Sequence, residues 1–238
     1  MATQIQLGEI GADVVLKNIK NIHLSVYPPT GKVRIAAPLR MDLDTIRVFA
    51  LSKLPWIRRQ QAKLRAQERE APRDCIDRES HYYRGRRYLL KVVEHDAAPT
   101  VELKHGTMVL RVRPGTDQAR RQIVIDEWYR QRLKDELVPL LAKWEEALGV
   151  GAGRVRVQKM KTRWGSCNPV SKSILINLEL AKKPSECLEY IVVHELAHLL
   201  EPKHNARFIA ILDRHLPRWR FIREELNRLP VRHERWGY

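Results

Sequence analysis

The sequence predicts an α+β fold, in which an antiparallel, β-rich N-terminal part precedes a part built from helices and strands. Three observations predict it. Short alternating apolar and polar segments recur between residues 14 and 112, apolar residues recur at helical spacing from residue 116, and two more alternating segments precede an apolar stretch at 185–200. A period of two indicates strands, and a period near 3.6 indicates helices. We therefore predict two domains, residues 1–115 and residues 116–238.

The first candidate elements are three short strands and one helical region. The strands alternate apolar and polar residues, and the last two are separated by Pro28-Pro29-Thr30-Gly31; they lie at residues 14–16, 22–27 and 33–36. Residues 42–70 have helical spacing, with Asp42 or Asp44 as the cap and Pro55 as a kink or break. After a polar linker, two hairpins are predicted, one turning at Gly85 and one joining residues 101–103 to 108–112.

From residue 116 the apolar period changes to that of a long helix, which Gly149 ends and Pro139 kinks or divides. Two alternating segments follow as strands, at residues 155–160 and 173–180. The apolar stretch at 185–200 is the next helix. Two amphipathic helices are predicted after it, at residues 205–215 and 217–229.

Composition limits the class of protein. The chain of 238 residues is 44% hydrophobic and 30% charged, with a net charge of +16. This balance predicts a folded protein, and the positive charge favours an anionic substrate and nonspecific attraction to nucleic acid. No run approaches the roughly 18 apolar residues of a membrane span, and the N-terminus has no secretory pattern. The separated cysteines Cys75, Cys167 and Cys187 predict neither a disulfide framework nor a cysteine metal site, so we expect a cytoplasmic protein.

The apolar helix at 185–200 contains the pattern His194-Glu195-Leu196-Ala197-His198. Two imidazoles four residues apart share one helix face and can bind one metal ion. Glu195 projects at a different angle, beside the place where an attacking water would lie. Such polar groups are costly in an apolar helix unless they are paired or ligated, so the pattern indicates a metal site.

A third ligand is available shortly after this helix. Pro202 ends the helix close to His198, which lets the chain fold back and present His204. Three histidines with an open fourth position are typical of catalytic rather than structural zinc sites. The alternative is a carboxylate as third ligand, from Glu201, Asp213, Glu224 or Glu225.

The predicted ligands indicate the type of reaction, but they do not identify the substrate. One zinc ion on three neutral imidazoles lowers the pKa of bound water to roughly 7 and polarises the bond being cleaved. Glu195 can act as the general base and then protonate the leaving group. Hydrolysis follows, and the bond can be a peptide bond or a phosphoanhydride.

The segment Arg163-Trp164-Gly165 has two interpretations that the sequence leaves open. In one, these residues bind substrate: Arg163 holds an anion or stabilises an oxyanion, and Gly165 lets a substrate backbone approach. In the other, Trp164 packs under the metal helix and Gly165 only turns the chain. An anionic substrate is favoured by a run of basic residues without an acidic one: Arg154, Arg156, Lys159, Lys161 and Arg163.

Four segments together resemble the YgjP-like metallopeptidases, which are related to the SprT-like zinc proteases. They are Lys161-Thr162-Arg163-Trp164-Gly165-Ser166-Cys167, the strand predicted at 174–180, the histidine pattern at 194–198, and His204-Asn205-Ala206-Arg207-Phe208. The resemblance is close over residues 155–212. It implies a zincin-like second domain, zinc on His194, His198 and His204, and Glu195 as the catalytic base. Members are mostly described as zinc-dependent metallopeptidases, and at least one as a nucleotide pyrophosphatase acting on UTP.

The leading hypothesis is therefore a zinc-dependent metallopeptidase-like hydrolase, with the strand at 174–180 as the edge that pairs with extended substrate. A metal-dependent nucleotide pyrophosphatase acting on a UTP-type substrate is the first alternative, since the basic run suits a phosphate chain. A nucleic-acid-associated protease is the second alternative, motivated by the net charge of +16.

Overall fold

The computed structural model describes residues 3–27, 30–66, 74–160 and 163–228. The chain forms two compact units, the first within residues 1–71 and the second within residues 72–229. The predicted turn at Pro28-Pro29, the end of the first helical region beyond residue 66 and Lys161 lie outside the described residues. The α+β class predicted from the sequence is confirmed.

The first unit is a four-stranded sheet followed by two helices. Its strands are β1 (Thr3–Leu7), β2 (Ile10–Lys17), β3 (His23–Tyr27) and β4 (Lys32–Pro38), in the order β1-β2-β4-β3. Helices α1 (Leu43–Ser52) and α2 (Leu54–Ala66) follow, and Asp42 caps α1 by accepting a hydrogen bond of 2.8 Å from the Thr45 amide. Ile46, Ala50 and Ile57 fill the core with the apolar side chains of the strands, because they recur at helical spacing.

The second unit begins with a sheet of the same topology. Its strands are β5 (Ser80–Tyr83), β6 (Arg86–Glu94), β7 (Thr100–Lys104) and β8 (Thr107–Val112), in the order β5-β6-β8-β7. The predicted hairpins β5–β6 and β7–β8 are confirmed. The prediction of a wholly antiparallel part is wrong in one respect, because β2 pairs with β4, and β6 with β8, in parallel.

Helix α3 (Gln118–Leu148) connects this sheet to the rest of the unit. Asp117 caps its start, and Gly149 ends it with a left-handed φ of 65°. Pro139 lies inside α3 without dividing it. One core joins α3 to β6, to β8 and to later elements of the unit. Its members include Leu90, Leu110, Ile125, Leu133, Ile176 and Val192.

This shared core explains why the units do not divide at residue 115. Leu90 and Met108, from the sheet assigned to the first domain, pack in the same core as Ile125 of α3 and Leu196 of the helix that contains His194. Side chains that fill one core belong to one compact unit. The structure therefore divides near residue 71, whereas the sequence boundary was placed where the apolar period changes.

The remaining elements carry the predicted site. A three-stranded sheet has the order β10-β11-β9, with β9 at Arg154–Gln158, β10 at Gly165–Asn168 and β11 at Ser173–Asn177. A short 3₁₀ helix (Leu178–Lys182) leads to α4 (Ser185–Ala197), and α5 (Ala206–His215) and α6 (Trp219–Arg228) follow. None of the helices within the described ranges combines the length and the apolar character that a membrane crossing requires.

Two details correct the prediction for the substrate strand. The strand expected at 174–180 ends at Asn177, where the chain enters the 3₁₀ helix. It also lies in the middle of its sheet, since β10 and β9 occupy its two edges. A central strand has no free backbone groups for a substrate, so β11 cannot be the edge strand that the sequence suggested.

Candidate metal centre and active site

The three predicted histidines come together at the end of α4. His194 lies in the last turn of α4, His198 is its C-cap, and His204 precedes α5. One ring nitrogen of each histidine lies within 4.8 Å of one from each of the other two, and the Nε2 atoms of His194 and His204 are 3.1 Å apart. Among the residues that the structure describes, this is the group that could hold a metal ion, and it contains no carboxylate.

Three of the four alternative carboxylate ligands, Glu201, Asp213 and Glu224, have other partners. Asp213 accepts hydrogen bonds from Trp219, at 2.7 Å, and from Arg220. Glu224 lies 3.9 Å from Arg228, and the Glu201 side chain accepts a hydrogen bond from the Lys203 amide at 3.3 Å. These positions favour His204 as the third ligand.

The orientation of His198 is fixed by the main chain. Its Nδ1 lies 3.1 Å from the carbonyl oxygen of Glu201, to which it donates, and this assigns the lone pair to Nε2. Ligating histidines usually donate their other ring N–H to such an acceptor. The turn after α4 brings the acceptor into place, because the Glu201 amide bonds back to the Ala197 carbonyl at 2.9 Å.

Burial favours the neutral form of two of the three imidazoles, those of His194 and His198. Burial, and next the positive charge that His198 and His204 would carry, lower the pKa of His194 from 6.5 to about 3. Burial likewise lowers the pKa of His198. Neutral imidazoles keep their lone pairs for a ligand, so the donor set fits a divalent ion that accepts nitrogen.

Phe208 supports all three imidazoles, a role that the sequence did not indicate beyond its apolar spacing. Its ring centroid lies 5.0 Å from that of His194 and 4.7 Å from those of His198 and His204, and the side chain is 2% exposed. Asn205 caps α5 by accepting a hydrogen bond from the Phe208 amide at 3.1 Å. The start of α5 is thereby fixed beneath the histidines.

Behind His194 lies a second aromatic pair that sequence reasoning also missed. Tyr190, one turn earlier on α4, meets the His194 ring edge-on at 5.7 Å and stacks on Trp219 of α6 at 6.3 Å. Burial raises the pKa of the Tyr190 hydroxyl to about 12, so this group stays neutral. In the sequence, only the helical spacing of apolar residues indicated that Tyr190 and Trp219 face the interior.

Glu195 lies beside the histidines on a different face of α4 and is 5% exposed. Burial raises its pKa from 4.5 to about 8, and the nearby positive charge of Arg163 acts in the opposite direction. A carboxyl group in this range can both accept and return a proton near neutral pH.

Gly165, the first residue of β10, packs directly on the Glu195 side chain. A Cβ atom added to Gly165 would lie 2.8 Å from Cγ and 2.9 Å from Cδ of Glu195. Cys167, two residues along the same face of β10, has its thiol pKa raised to about 11 by burial and next by the charge of Glu195. The strand that sequence analysis did not predict is therefore the one that borders the candidate base.

The other two residues of the Arg163-Trp164-Gly165 segment differ in their placement. Arg163 is exposed, and its positive charge acts to lower the pKa of Glu195. Trp164 packs against the hydrophobic core, with the Lys183 ammonium 6.0 Å from its ring centroid, which favours the packing interpretation. A separate groove of about 520 Å³ borders the first turn of α4 and contains none of the predicted site residues.

Three imidazoles that converge on one point, with a buried carboxyl group beside them, are the groups that a metal-dependent hydrolytic centre uses. The chain belongs to the YgjP-like family: the model of the YgjP-like metallopeptidase domain matches residues 20–229. Membership of this family makes the protein a metallopeptidase-like hydrolase with a metal ion.

Two solved structures of metallopeptidase zymogens are similar to part of the chain. Abylysin from Pyrococcus abyssi is 24% identical, with a TM-score of 0.35, over 42% of this chain and 99% of its own. Jannalysin from Methanocaldococcus jannaschii is 20% identical, with a TM-score of 0.34, over 40% of this chain and 92% of its own. None of the curated proteins matches the sequence.

Proposed function

We propose that the protein is a zinc-dependent peptidase that cleaves extended polypeptide, with Glu195 as the general base. The observation that carries the proposal is that β10, an edge strand, lies directly against Glu195. Within the described ranges, no strand pairs with the outer edge of β10. An extended peptide can add to such an edge through main-chain hydrogen bonds.

The register identifies which backbone groups a peptide would meet. The Asn177 amide donates to the Trp164 carbonyl at 2.9 Å, and the β10–β11 register continues from that pair. Hydrogen-bonded and non-hydrogen-bonded pairs alternate along antiparallel strands. Gly165 and Cys167 therefore direct their N–H and C=O groups away from β11, toward the free edge. These two residues also border Glu195, so a bound peptide would pass beside the base.

The distribution of positive charge supports a peptide over a nucleotide. Arg154 and Arg156 lie on β9, on the far side of β11 from β10, and Lys159 is paired with Asp126. Among the described members of the basic run, Arg163 is the one whose charge reaches Glu195. A triphosphate chain generally requires several cations close together.

His194, His198 and His204 would hold the ion. Zinc in such a site supplies a Lewis acid and makes water acidic enough to deprotonate near neutral pH. Glu195 would take the proton of the attacking water as its oxygen adds to the substrate carbonyl carbon, and would then deliver that proton to the amide nitrogen as the C–N bond breaks. Burial raises the pKa of Glu195 and so favours its protonated form, whereas the positive charge of Arg163 favours the carboxylate.

The decisive test compares the wild-type protein with Glu195→Gln on an unfolded protein such as reduced casein, after confirming equal zinc content. We expect a loss of about 10²- to 10⁴-fold in the rate of cleavage, as is typical of a missing general base. Equal cleavage by both proteins would refute the proposal. Release of pyrophosphate from UTP by the same preparations, if it is lost in the Glu195→Gln variant, would favour the nucleotide alternative instead.

A second test addresses the strand pairing. Peptides that carry an N-methyl group at single backbone positions cannot donate a hydrogen bond there. We expect kcat/KM to fall for methylation at alternate positions near the cleaved bond and to remain unchanged at the positions between them. A uniform response would show that the peptide does not bind as a strand.

A further inference from the structure

Asn177 occupies the junction of three elements of the second unit. It is the last residue of β11, it pairs in register with Gln158 of β9, and it caps the 3₁₀ helix that follows. It is 4% exposed. Because it lies inside the protein, each of its polar atoms needs a partner.

Every hydrogen-bonding capacity of the Asn177 side chain is used, and every partner is a main-chain atom. Nδ2 donates to the carbonyl oxygens of Met160, at 3.0 Å, and Arg163, at 2.7 Å. Oδ1 accepts from the amides of Met160, at 3.3 Å, and Glu179, at 3.2 Å. An amide side chain has two donor hydrogens and two acceptor lone pairs, so the group is saturated.

These bonds hold the chain immediately before β10. The side chain bonds to Arg163, and the Asn177 amide bonds to the Trp164 carbonyl, so two successive residues are fixed from one position. Gly165 follows directly and packs on Glu195. Asn177 lies outside the site, but its hydrogen bonds thereby determine where Arg163 and Gly165 lie relative to Glu195.

We infer that Asn177 is a positioning residue: it holds Arg163 and the start of β10 against Glu195, and it acts on the reaction only through them. This inference rests on the proposed peptidase function. It also predicts local structure, which can be measured whether or not a substrate is cleaved.

The sharpest variant is Asn177→Asp. A carboxylate keeps the acceptor for the Met160 and Glu179 amides, and so keeps the cap of the 3₁₀ helix, but it cannot donate to the Met160 and Arg163 carbonyls. Asn177→Ser, which introduces no buried charge and keeps a hydroxyl oxygen as a possible cap, serves if the aspartate variant does not fold. Gln61→Glu is the matched control, because Gln61 of the first unit also donates its amide to a main-chain carbonyl, that of Gly31 at 2.8 Å.

The activity test is a double-mutant cycle with Arg163→Ala. We expect Asn177→Asp to lower kcat/KM at least tenfold with zinc content retained, and Gln61→Glu to leave it within twofold. Arg163→Ala should lower kcat/KM much less in the Asn177→Asp background than in the wild type. The reason is that the Asn177→Asp change has already displaced the Arg163 side chain. Independent, multiplicative losses would overturn the inference, since a general weakening of the fold would leave the contribution of Arg163 intact.

The structural test is amide hydrogen exchange on the same proteins. Exchange in residues 163–168 should accelerate in Asn177→Asp or Asn177→Ser and remain at the wild-type rate in Gln61→Glu. Unchanged exchange in these residues would overturn the positioning role. If exchange accelerates while wild-type and Glu195→Gln proteins cleave peptides equally, the proposed function fails and the positioning role of Asn177 stands.

Discussion

Gly165 and Glu195 are in such close contact that no side chain fits between them: a Cβ on Gly165 would lie 2.8 Å from Cγ and 2.9 Å from Cδ of Glu195. Real Cβ atoms do not approach other carbons so closely, so any larger residue must displace the carboxyl group or the strand. The backbone of Gly165 does not adopt a positive φ. The requirement for glycine therefore comes from contact with the base rather than from the conformation of the chain.

Gly165→Ala should consequently reduce peptide cleavage by roughly 10² or more, the scale on which misplacement by about 1 Å acts. Zinc content should remain, because the histidines are not touched. The measurement is kcat/KM together with metal analysis. Gly151→Ala is the control, since a Cβ there meets no atom within 4 Å. Full activity of Gly165→Ala would show that Glu195 does not need its observed position.

Replacing His204 by alanine should abolish stoichiometric zinc binding. Two imidazoles on one helix remain, and metal sites of this class need three protein ligands. Metal analysis after dialysis against a weak chelator measures the effect, with His215→Ala as the control from α5. Retention of one zinc per chain in His204→Ala would point to a carboxylate ligand.

Phe208→Leu should weaken metal binding more than it weakens the fold. Leucine keeps most of the buried apolar volume, but it removes the ring on which His198 stacks and which His194 and His204 meet edge-on. The three imidazoles are then less restrained before the metal binds. We expect an increase of about tenfold in the zinc dissociation constant, measured by competition with a chromophoric chelator. Leu226→Ala, in the core at α6, should instead lower the free energy of unfolding by about 2–5 kcal/mol and leave the zinc dissociation constant unchanged.

The pH dependence of stability of the metal-free protein should report on Glu195. Its pKa is raised from 4.5 to about 8 on folding. A carboxyl group of this kind contributes stability that is fully present below pH 4.5 and is lost as the pH rises through 8, because only the unfolded state ionises freely in that window. Glu195→Gln removes this loss. The melting temperature of the variant minus that of the wild type should therefore increase from pH 5 to pH 9.

His194 provides an internal check on that experiment. Its pKa is lowered to about 3 on folding, so its contribution is present above its unfolded value of 6.5 and is lost as the pH falls toward 3. Both proteins retain His194, so this acid limb should be the same in each. A constant difference in melting temperature across the pH range would contradict the buried position of Glu195.

The sequence was sufficient for the parts of the site that depend on helical spacing. His194, Glu195 and His198 follow from one helix, and Pro202 explains how His204 returns to it. The boundary predicted at residue 115 differs from the division into compact units near residue 71. The apolar period reports local structure, whereas the core shared by Leu90 and Ile125 joins residues far apart in the chain. Parallel pairing of β6 with β8 was missed for the same reason.

Strand β10 could not be predicted from its composition. Gly165, Ser166, Cys167 and Asn168 are small or polar and show no alternation that a period of two would reveal. The strand forms because β11 offers it a partner and Asn177 fixes its start. The edge strand that we propose binds the substrate is thus specified by tertiary contacts, whereas the sequence pattern pointed to the more apolar β11.

The hydrogen bond from His198 to the Glu201 carbonyl has a consequence for how such a site tolerates mutation. Most side-chain acceptors behind a ligating histidine can be deleted by one codon change, but a carbonyl oxygen is present whatever residue occupies position 201. Substitutions there can alter charge without removing the acceptor, as long as the turn persists. The residue type at position 201 can therefore vary while the His198 imidazole keeps its tautomer. The acceptor that fixes this tautomer cannot be recognised from the residue type in the sequence.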